Sequence, residues 1–436
     1  MAQVENMGPR SRPRLAYWIP LSIQHVFAMF GATILVPILT GLDPAVALFT
    51  AGTGTLIYIL LTGAKVPAFL GSSFAFIAPL IAISRAFGIP YALGGAIIAG
   101  LFYCLVALII KFAGKGWLDK ALPPVVIGSV IVVIGLNLAP TAMGMAMNKV
   151  RDDPSTYSLV FLSIAAVTLG VTVGASIFFK GFFSTISILI GLVAGYLFTL
   201  IMGFFFSDYA IISFQNVNDA LWLGVPKFQI PRFNFVAVFT FVIVSLATIC
   251  EHLGDTLATS KIVGQDFYRN PGLHRTLAGN GLAISWAALW GGPPTTTYGE
   301  NIGVMAITRV YSVWVIGGAA VLAVFLSFFR KFGALIQTIP TPVLGGISMF
   351  LFGIIASSGF KTIVESGVDY RDKRNLTISS VILVIGIGGG KLAFAITKGV
   401  EFQFAGVALA TVVGIFLNLI FPPSRGKIID PLERTR

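Results

Sequence analysis

Leu15-Ala16-Tyr17-Trp18-Ile19-Pro20-Leu21-Ser22-Ile23-Gln24-His25-Val26-Phe27-Ala28-Met29-Phe30-Gly31-Ala32-Thr33-Ile34-Leu35-Val36-Pro37-Ile38-Leu39-Thr40-Gly41-Leu42 contains no Lys, Arg, Asp or Glu. About 20 mainly apolar residues are enough for a helix to cross the hydrocarbon of a bilayer. The run is too long for the apolar part of a cleaved signal, and Pro20 and Pro37 interrupt it. Arg10, Arg12 and Arg14 before it therefore read as a topological flank.

The rest of the chain has the same character. Of its 436 residues 56% are hydrophobic and only 11% charged, with a mean hydropathy of +0.91. Soluble domains carry about 25% charged residues, so this chain lacks the charge to cover a water-facing surface. It reads as an all-α polytopic membrane protein. Its 48 glycines let membrane helices approach closely and break. Cys104 and Cys250 both fall in apolar runs, which excludes a disulfide framework. The formal charge of +12 follows from basic loops on one side of the membrane and does not call for nucleic acid.

Apolar runs between charged or Pro/Gly-rich breaks predict about fourteen spans. They lie near 16–40, 44–62, 67–84, 91–111, 123–142, 158–179, 183–206, 234–258, 276–291, 295–308, 310–329, 341–360, 376–394 and 404–421. An even number puts both termini on one side. Of the 29 Lys and Arg residues, 20 then fall on the side of the termini and 9 on the other. Basic residues mark the cytoplasmic side, so both termini, 1–15 and 422–436, are expected in the cytoplasm.

The chain also echoes itself. Leu122-Pro123-Pro124-Val125-Val126-Ile127-Gly128 resembles Pro340-Thr341-Pro342-Val343-Leu344-Gly345-Gly346, and Gly195 and Gly414 take similar places in the last span of each half. Two seven-span halves are the simplest reading, and an odd number per half requires inverted topology. Transporters built this way place substrate between broken helices at corresponding positions. The third and tenth spans qualify, with Val66-Pro67-Ala68-Phe69-Leu70-Gly71-Ser72-Ser73-Phe74 and Gly291-Gly292-Pro293-Pro294-Thr295-Thr296-Thr297-Tyr298-Gly299-Glu300. Half-helices starting there would point free N–H groups and positive dipole ends at the membrane middle. The blander reading is a pair of Pro-kinked structural helices, but unwound backbone at that depth is tolerated only around an enclosed cavity.

Of 17 acidic residues only Glu251, Asp255 and Glu300 fall in predicted spans. An intramembrane carboxylate costs about 2.5–3.5 kcal/mol on insertion scales and marks a functional site by default. Glu251 and Asp255 are four apart, so one helix presents both on one face. His252 points elsewhere, and packing explains it as well as function does. The spans hold almost no Lys or Arg to neutralise the acids; Lys391 is the main exception. Buried carboxylates without cations suit proton exchange.

At these residues the chain resembles the nucleobase–ascorbate transporter family, its bacterial uracil-carrying branch in particular, from about Pro20 to Pro422. The family signature reads Gln, Glu or Pro, then Asn, any residue, Gly, four of any kind, and Thr. Here it is Glu300-Asn301-Ile302-Gly303-Val304-Met305-Ala306-Ile307-Thr308, preceded by Thr296-Thr297-Tyr298-Gly299. Gln24-His25 matches the family's pair in the first span, and Lys65-Val66-Pro67-Ala68-Phe69-Leu70-Gly71-Ser72-Ser73-Phe74-Ala75-Phe76 is similarly close.

The resemblance implies two inverted seven-span repeats, with short strands in broken spans three and ten. A core domain would comprise 16–112 and 234–330, and a gate domain 122–206 and 341–421; a homodimer would form through the gates. It implies that Glu251 and Glu300 accept the N–H groups of uracil, that Phe74 covers the ring, and that Phe74 and Gly299 lend backbone N–H groups. Ser73 and Tyr298 would adjoin the ring, with Gln24, His25, Asn301 and Phe352 in support. The chain departs from the best-known pattern twice: Asp255 stands for a His, and Phe352 for a Tyr. Asp255 or Glu251 is then the group expected to load the proton.

The function expected is import of uracil across the cytoplasmic membrane coupled to protons, by alternating access, with no cofactor and no metal. A xanthine or other purine permease of the same family is the runner-up, although Gln at position 300 would suit it better. A passive channel or anion exchanger is the reading from another class, and the carboxylates argue against it. No metal-ligand cluster, nucleophile motif or phosphate-binding loop points to an enzyme; Gly386-Ile387-Gly388-Gly389-Gly390 lies in an apolar span and is expected to ease packing.

Overall fold

The computed structural model describes residues 7–206, 211–397 and 400–422, so most of the expected C-terminal tail, like residues 1–6, lies outside the described residues. The first half contains α1 (Leu15–Thr40), α2 (Pro44–Leu61), β1 (Leu70–Ser72), α3 (Ile77–Phe87), α4 (Ile89–Ala113), the short α5 (Gly116–Ala121), α6 (Pro124–Leu136), α7 (Ala139–Met147), α8 (Leu159–Phe178), the single turn α9 (Phe182–Thr185) and α10 (Ser187–Phe205). After the short α11 (Gln215–Asp219) come α12 (Phe235–Val263), α13 (Leu273–Leu289), β2 (Thr295–Thr297), α14 (Gly299–Thr308), α15 (Val313–Ser327), α16 (Arg330–Gln337), α17 (Thr341–Glu365), α18 (Lys373–Ile387), the hairpin β3 (Lys391–Thr397) and β4 (Val400–Ala405), and α19 (Gly406–Ile420). Each expected apolar run carries helix over much of its length. Among the described residues eight helical segments are long and apolar enough to cross a membrane.

Three expectations are corrected. The run 376–394 is not helical to its end: α18 stops at Ile387 and β3 begins at Lys391. Three consecutive glycines explain the stop, because Gly389 takes a φ of +68°, where a side chain would be strained. Of the Gly-rich run only Gly386 eases packing, against Val133. The run 123–142 breaks after Leu136, and Pro140 lies in the first turn of the helix that follows. Glu365, expected in a loop, is the last residue of α17.

One group of helices packs α4 and α2 against α13, α2 against α15, α4 against α12, and α1 against α15. A second packs α6, α7 and α8 against α17, α8 against α10, and α18 against α19. The two groups meet where α12 lies against α6 and α19, and where α1 lies against α10 and α17. Within the second group α6 and α17 touch backbone to backbone. A Cβ at Gly128 would fall 2.8 Å from the Gly359 carbonyl oxygen, and one at Gly359 2.6 Å from that of Gly128. The glycines matched between the halves do matching work. A Cβ at Gly195 would strike Thr168 of α8 at 1.9 Å, and one at Gly414 would strike Ile382 of α18 at 2.5 Å. In both halves the last helix thus lies close upon its predecessor.

Loop contacts gather at two ends of the molecule. At one end Lys65 Nζ donates to Asn270 Oδ1, the Tyr311 N–H bonds the Met7 carbonyl, and Asn418 donates to the Lys120 carbonyl. At the other, Arg85 pairs with Asp152, the Arg232 N–H bonds the Pro90 carbonyl, and the Arg330 N–H bonds the Trp222 carbonyl.

Candidate functional site

Two proline-rich breaks cross at the centre of the molecule. Pro67 and Pro293-Pro294 cannot donate helical hydrogen bonds, and the freed backbone pairs across the halves instead. β1 and β2 run antiparallel, with Leu70 opposite Thr297, Gly71 opposite Thr296 and Ser72 opposite Thr295. The pairing extends beyond both ends: the Tyr298 N–H bonds the Phe69 carbonyl at 3.0 Å, and the Ser73 N–H bonds the Pro294 carbonyl at 2.8 Å. Side chains complete it, since Thr55 Oγ1 accepts from the Leu70 N–H at 2.9 Å and Ser72 Oγ donates to the Thr33 carbonyl.

Each strand leads into a half-helix. A turn over Phe74–Phe76 opens α3, and Gly299 opens α14. Their first N–H groups have no partner within the helix, and both dipoles present their positive ends here. Glu300 lies in the first turn of α14, where a negative charge is favoured.

α12 supplies the other acids. Asn234 caps it by accepting from the N–H groups of Val236 and Ala237, and Gly264 ends it with a φ of 72°. The helix runs further than the sequence suggested, and the added length brings Glu251 near its middle. Glu251 is buried at 8% exposure, and its Oε2 has no hydrogen-bond partner. One turn on, half-buried Asp255 accepts from Thr297 Oγ1 at 2.6 Å.

These groups meet in a narrow cavity of about 50 Å³, lined by Phe74, Glu251, Asp255, Tyr298, Gly299, Glu300, Thr296 and Thr297, and closed by Ile131 of α6 and Ile354, Ile355 and Ser358 of α17. A Cβ at Gly299 would meet nothing within 4 Å, so that position borders open space. Beyond it a vestibule of about 320 Å³ shares Asp255, Gly299, Ile354 and Ser358 with the cavity and reaches Lys261, Lys361 and Glu365 at its mouth.

The other expected residues stand behind this wall. The Tyr298 hydroxyl turns away, accepting from Thr33 and donating to the Ser72 carbonyl, both at 3.2 Å. Gly71 makes room for its ring, since a Cβ there would lie 2.3 Å from Tyr298 Cζ. Phe352 packs edge-on against Phe74 at 5.6 Å between centroids. Asn301 Nδ2 lies 3.0 Å from His25 Nδ1 and 3.2 Å from the His25 carbonyl oxygen, tying α14 to α1. Gln24 donates to Thr185 at 3.0 Å. Ser73 is buried, and its hydroxyl has no partner. Gln24, His25, Ser73, Asn301 and Phe352 are not among the residues lining the cavity.

Sequence reasoning missed the wall opposite the acids. Ile131, Ile354 and Ile355 carry no chemical signal, and only the helical spacing of Ile354 and Ser358 places them together. Thr296 and Thr297 belong to the quoted stretch, and their hydroxyls beside membrane carboxylates were the available sign.

A family model described as a permease family, that of the xanthine and uracil permeases, matches residues 16–393. The chain is 51% identical to the uracil permease of Bacillus subtilis (strain 168), over 98% of each protein. It is 46% identical to the uracil permease of Escherichia coli (strain K12), over 95% of this chain and 94% of that one. In three dimensions it resembles the transmembrane domain of the cyanobacterial bicarbonate transporter BicA, with a TM-score of 0.64 at 15% identity, over 96% of this chain and 100% of that one. That likeness shows a shared fold alone. With the signature at Glu300–Thr308 beside the crossed strands, the chain belongs to the xanthine/uracil permease family of nucleobase–ascorbate transporters, multi-pass membrane carriers and not enzymes.

Proposed function

We propose that this permease imports uracil across the cytoplasmic membrane together with protons. The observation that carries this reading is Glu251 Oε2, a buried acceptor without a partner in a cavity where two half-helices begin. Uracil is a flat ring with two N–H donors and two carbonyl acceptors. Glu251 and Glu300 accept the donors, the first amides of the half-helices at Phe74 and Gly299 serve the carbonyls, and Phe74 covers the ring. The uracil permeases named above, about half identical to this chain, support the same substrate.

Protons are the coupling ion, loaded on Asp255 or Glu251. A carbonyl-rich ring beside three carboxylates is more stable when one of them is neutral, because like charges so close disfavour full ionisation. Substrate and proton therefore favour each other's binding. Alternating access moves a core domain of 16–112 and 234–330 against a gate domain of 122–206 and 341–421, in two inverted repeats of seven spans. Both termini are cytoplasmic, and two copies associate through their gates. The cavity is smaller than usual ligand pockets of about 300 Å³ or more, so ring entry requires Ile131, Ile354 and Ile355 to draw back from the acids.

Labelled-uracil uptake into proteoliposomes with an imposed proton gradient tests the proposal. Uptake that collapses with a protonophore and is competed by unlabelled uracil but not by xanthine is the expected result. Competition by xanthine alone would move the function to a purine carrier, and gradient-independent uptake would remove the coupling. Glu300→Ala is expected to abolish specific binding; normal binding by that variant would refute the assigned site.

A further inference from the structure

Asp255 of α12 has a single side-chain hydrogen-bond partner among the described residues: Thr297 Oγ1, at 2.6 Å. Thr297 is 4% exposed. It belongs to β2, whose backbone is fixed to β1 through the Leu70 pair, and it precedes Tyr298 and Gly299, where α14 starts. A threonine hydroxyl can donate to a carboxylate and can equally accept from a carboxylic acid. The pair therefore survives gain or loss of the proton with only the direction of the bond reversed, and the oxygen stays where it is.

We propose that Thr297 is the positioning residue for the proton-loading carboxyl: it holds Asp255 against β2 in both protonation states and so links the proton to the strand that ends at the substrate's half-helix. In the loading step an O–H bond forms on the Asp255 carboxyl with a proton from one side of the membrane. In the release step that bond breaks toward the other side, and Thr297 keeps its own proton throughout. The charged and titratable groups facing Asp255 are Glu251 on its own helix, Glu300 at the start of α14, Tyr58 on α2 and Tyr103 on α4. Lys261, Lys361 and Glu365 line the same vestibule. None of them shares β2 with the substrate's half-helix, and that is what singles out Thr297.

The inference rests on the proton-coupled reading above, and its test separates the two. Uptake of labelled uracil into proteoliposomes is measured from pH 5 to 8 for the unaltered protein, Thr297→Val, Thr297→Ser, Asp255→Asn, and Asp255→Asn combined with Thr297→Val. Valine keeps the shape and removes the hydroxyl; serine keeps the hydroxyl. Thr297→Val is expected to lower maximal gradient-driven uptake at least fivefold, with a smaller change in the half-saturating uracil concentration, and to alter the pH profile. Thr297→Ser should restore rate and profile to within about twofold, and valine should add nothing once Asp255 is Asn. A Thr297→Val protein with the unaltered rate and profile overturns the proposal, as does serine failing to rescue. If valine keeps the protein from the membrane, Thr297→Ala replaces it under the same criteria. Uptake by the unaltered protein that ignores pH and protonophore would sink the coupling itself, and with it this role for Thr297.

Discussion

Lys261 Nζ lies 3.0 Å from Glu365 Oε2, an ion pair that ties the last turn of α12 to the last residue of α17. Lys361 adds a second contact to the same carboxylate at 3.7 Å. The three side chains stand at the mouth of the vestibule that runs to Asp255 and Gly299. The pair thus bridges the helix bearing two of the acids and the helix forming the opposite wall.

Both partners are part-exposed, so Glu365→Gln is expected to cost less than about 1 kcal/mol of stability. Its larger effect is on access. In a Cys104→Ser background, a cysteine placed at Ser358 should react several-fold faster with a membrane-impermeant thiol reagent, added from the Lys361 side, when Glu365 is Gln. An unchanged labelling rate would show that the pair does not restrain the mouth.

Gly71→Ala should lower the unfolding temperature, read by Trp fluorescence in detergent, by the equivalent of about 1–3 kcal/mol. Its new methyl would meet the Tyr298 ring at 2.3 Å, whereas one at Gly299 meets nothing within 4 Å. Gly299→Ala should therefore leave the unfolding temperature nearly unmoved. Equal effects of the two substitutions would contradict the crossing.

Asn301→Ala removes the ties between α14 and His25, and loss of such a buried link costs about 1–3 kcal/mol. Since Asn301 does not line the cavity, the amount of uracil carried should fall while the preference for uracil over xanthine holds. A change in preference, measured by competition, would place Asn301 at the ring.

Outside the membrane, hydrogen bonding from Arg151, seconded by Arg85, holds the Asp152 carboxyl below its usual range. A depressed group stabilises the fold above its ordinary range, near pH 4, and loses that contribution as pH falls through the depressed value. Asp152→Asn should thus unfold slightly earlier than the unaltered protein at pH 7, by less than about 1 kcal/mol because the pair is exposed. The gap should close below about pH 4. A gap that widens in acid would reverse the assignment.

The membrane class, the succession of helices and the three acids were legible in the sequence because each is a local signal: a charge-free run, a Pro-Gly break, a carboxylate where none belongs. Glu251 and Asp255, four apart, predicted a shared face, and the cavity has both. The opposing wall was not legible. Ile131 reads as one more apolar residue of its span, and only the packing of α6 against both α12, at Gly254, and α17, through Gly128 and Gly359, brings it to the cavity. The end of α18 was missed because hydropathy averages over Gly388–Gly390, whereas backbone conformation does not. Gln24 and His25 were legible as unusual but not as braces, since their partners Thr185 and Asn301 lie far off in the chain.

The pairing of β1 with β2 has a mechanical consequence. Three residue pairs and two flanking hydrogen bonds rivet a segment near residue 70 to one near residue 296. Neither half can shift its break without dragging the other, and the starts of α3 and α14 keep their separation whatever the surrounding helices do. Under the alternating access proposed above, such a seat would be carried whole instead of being remoulded at each stop. The parts that would then slide past it are the isoleucines across the way.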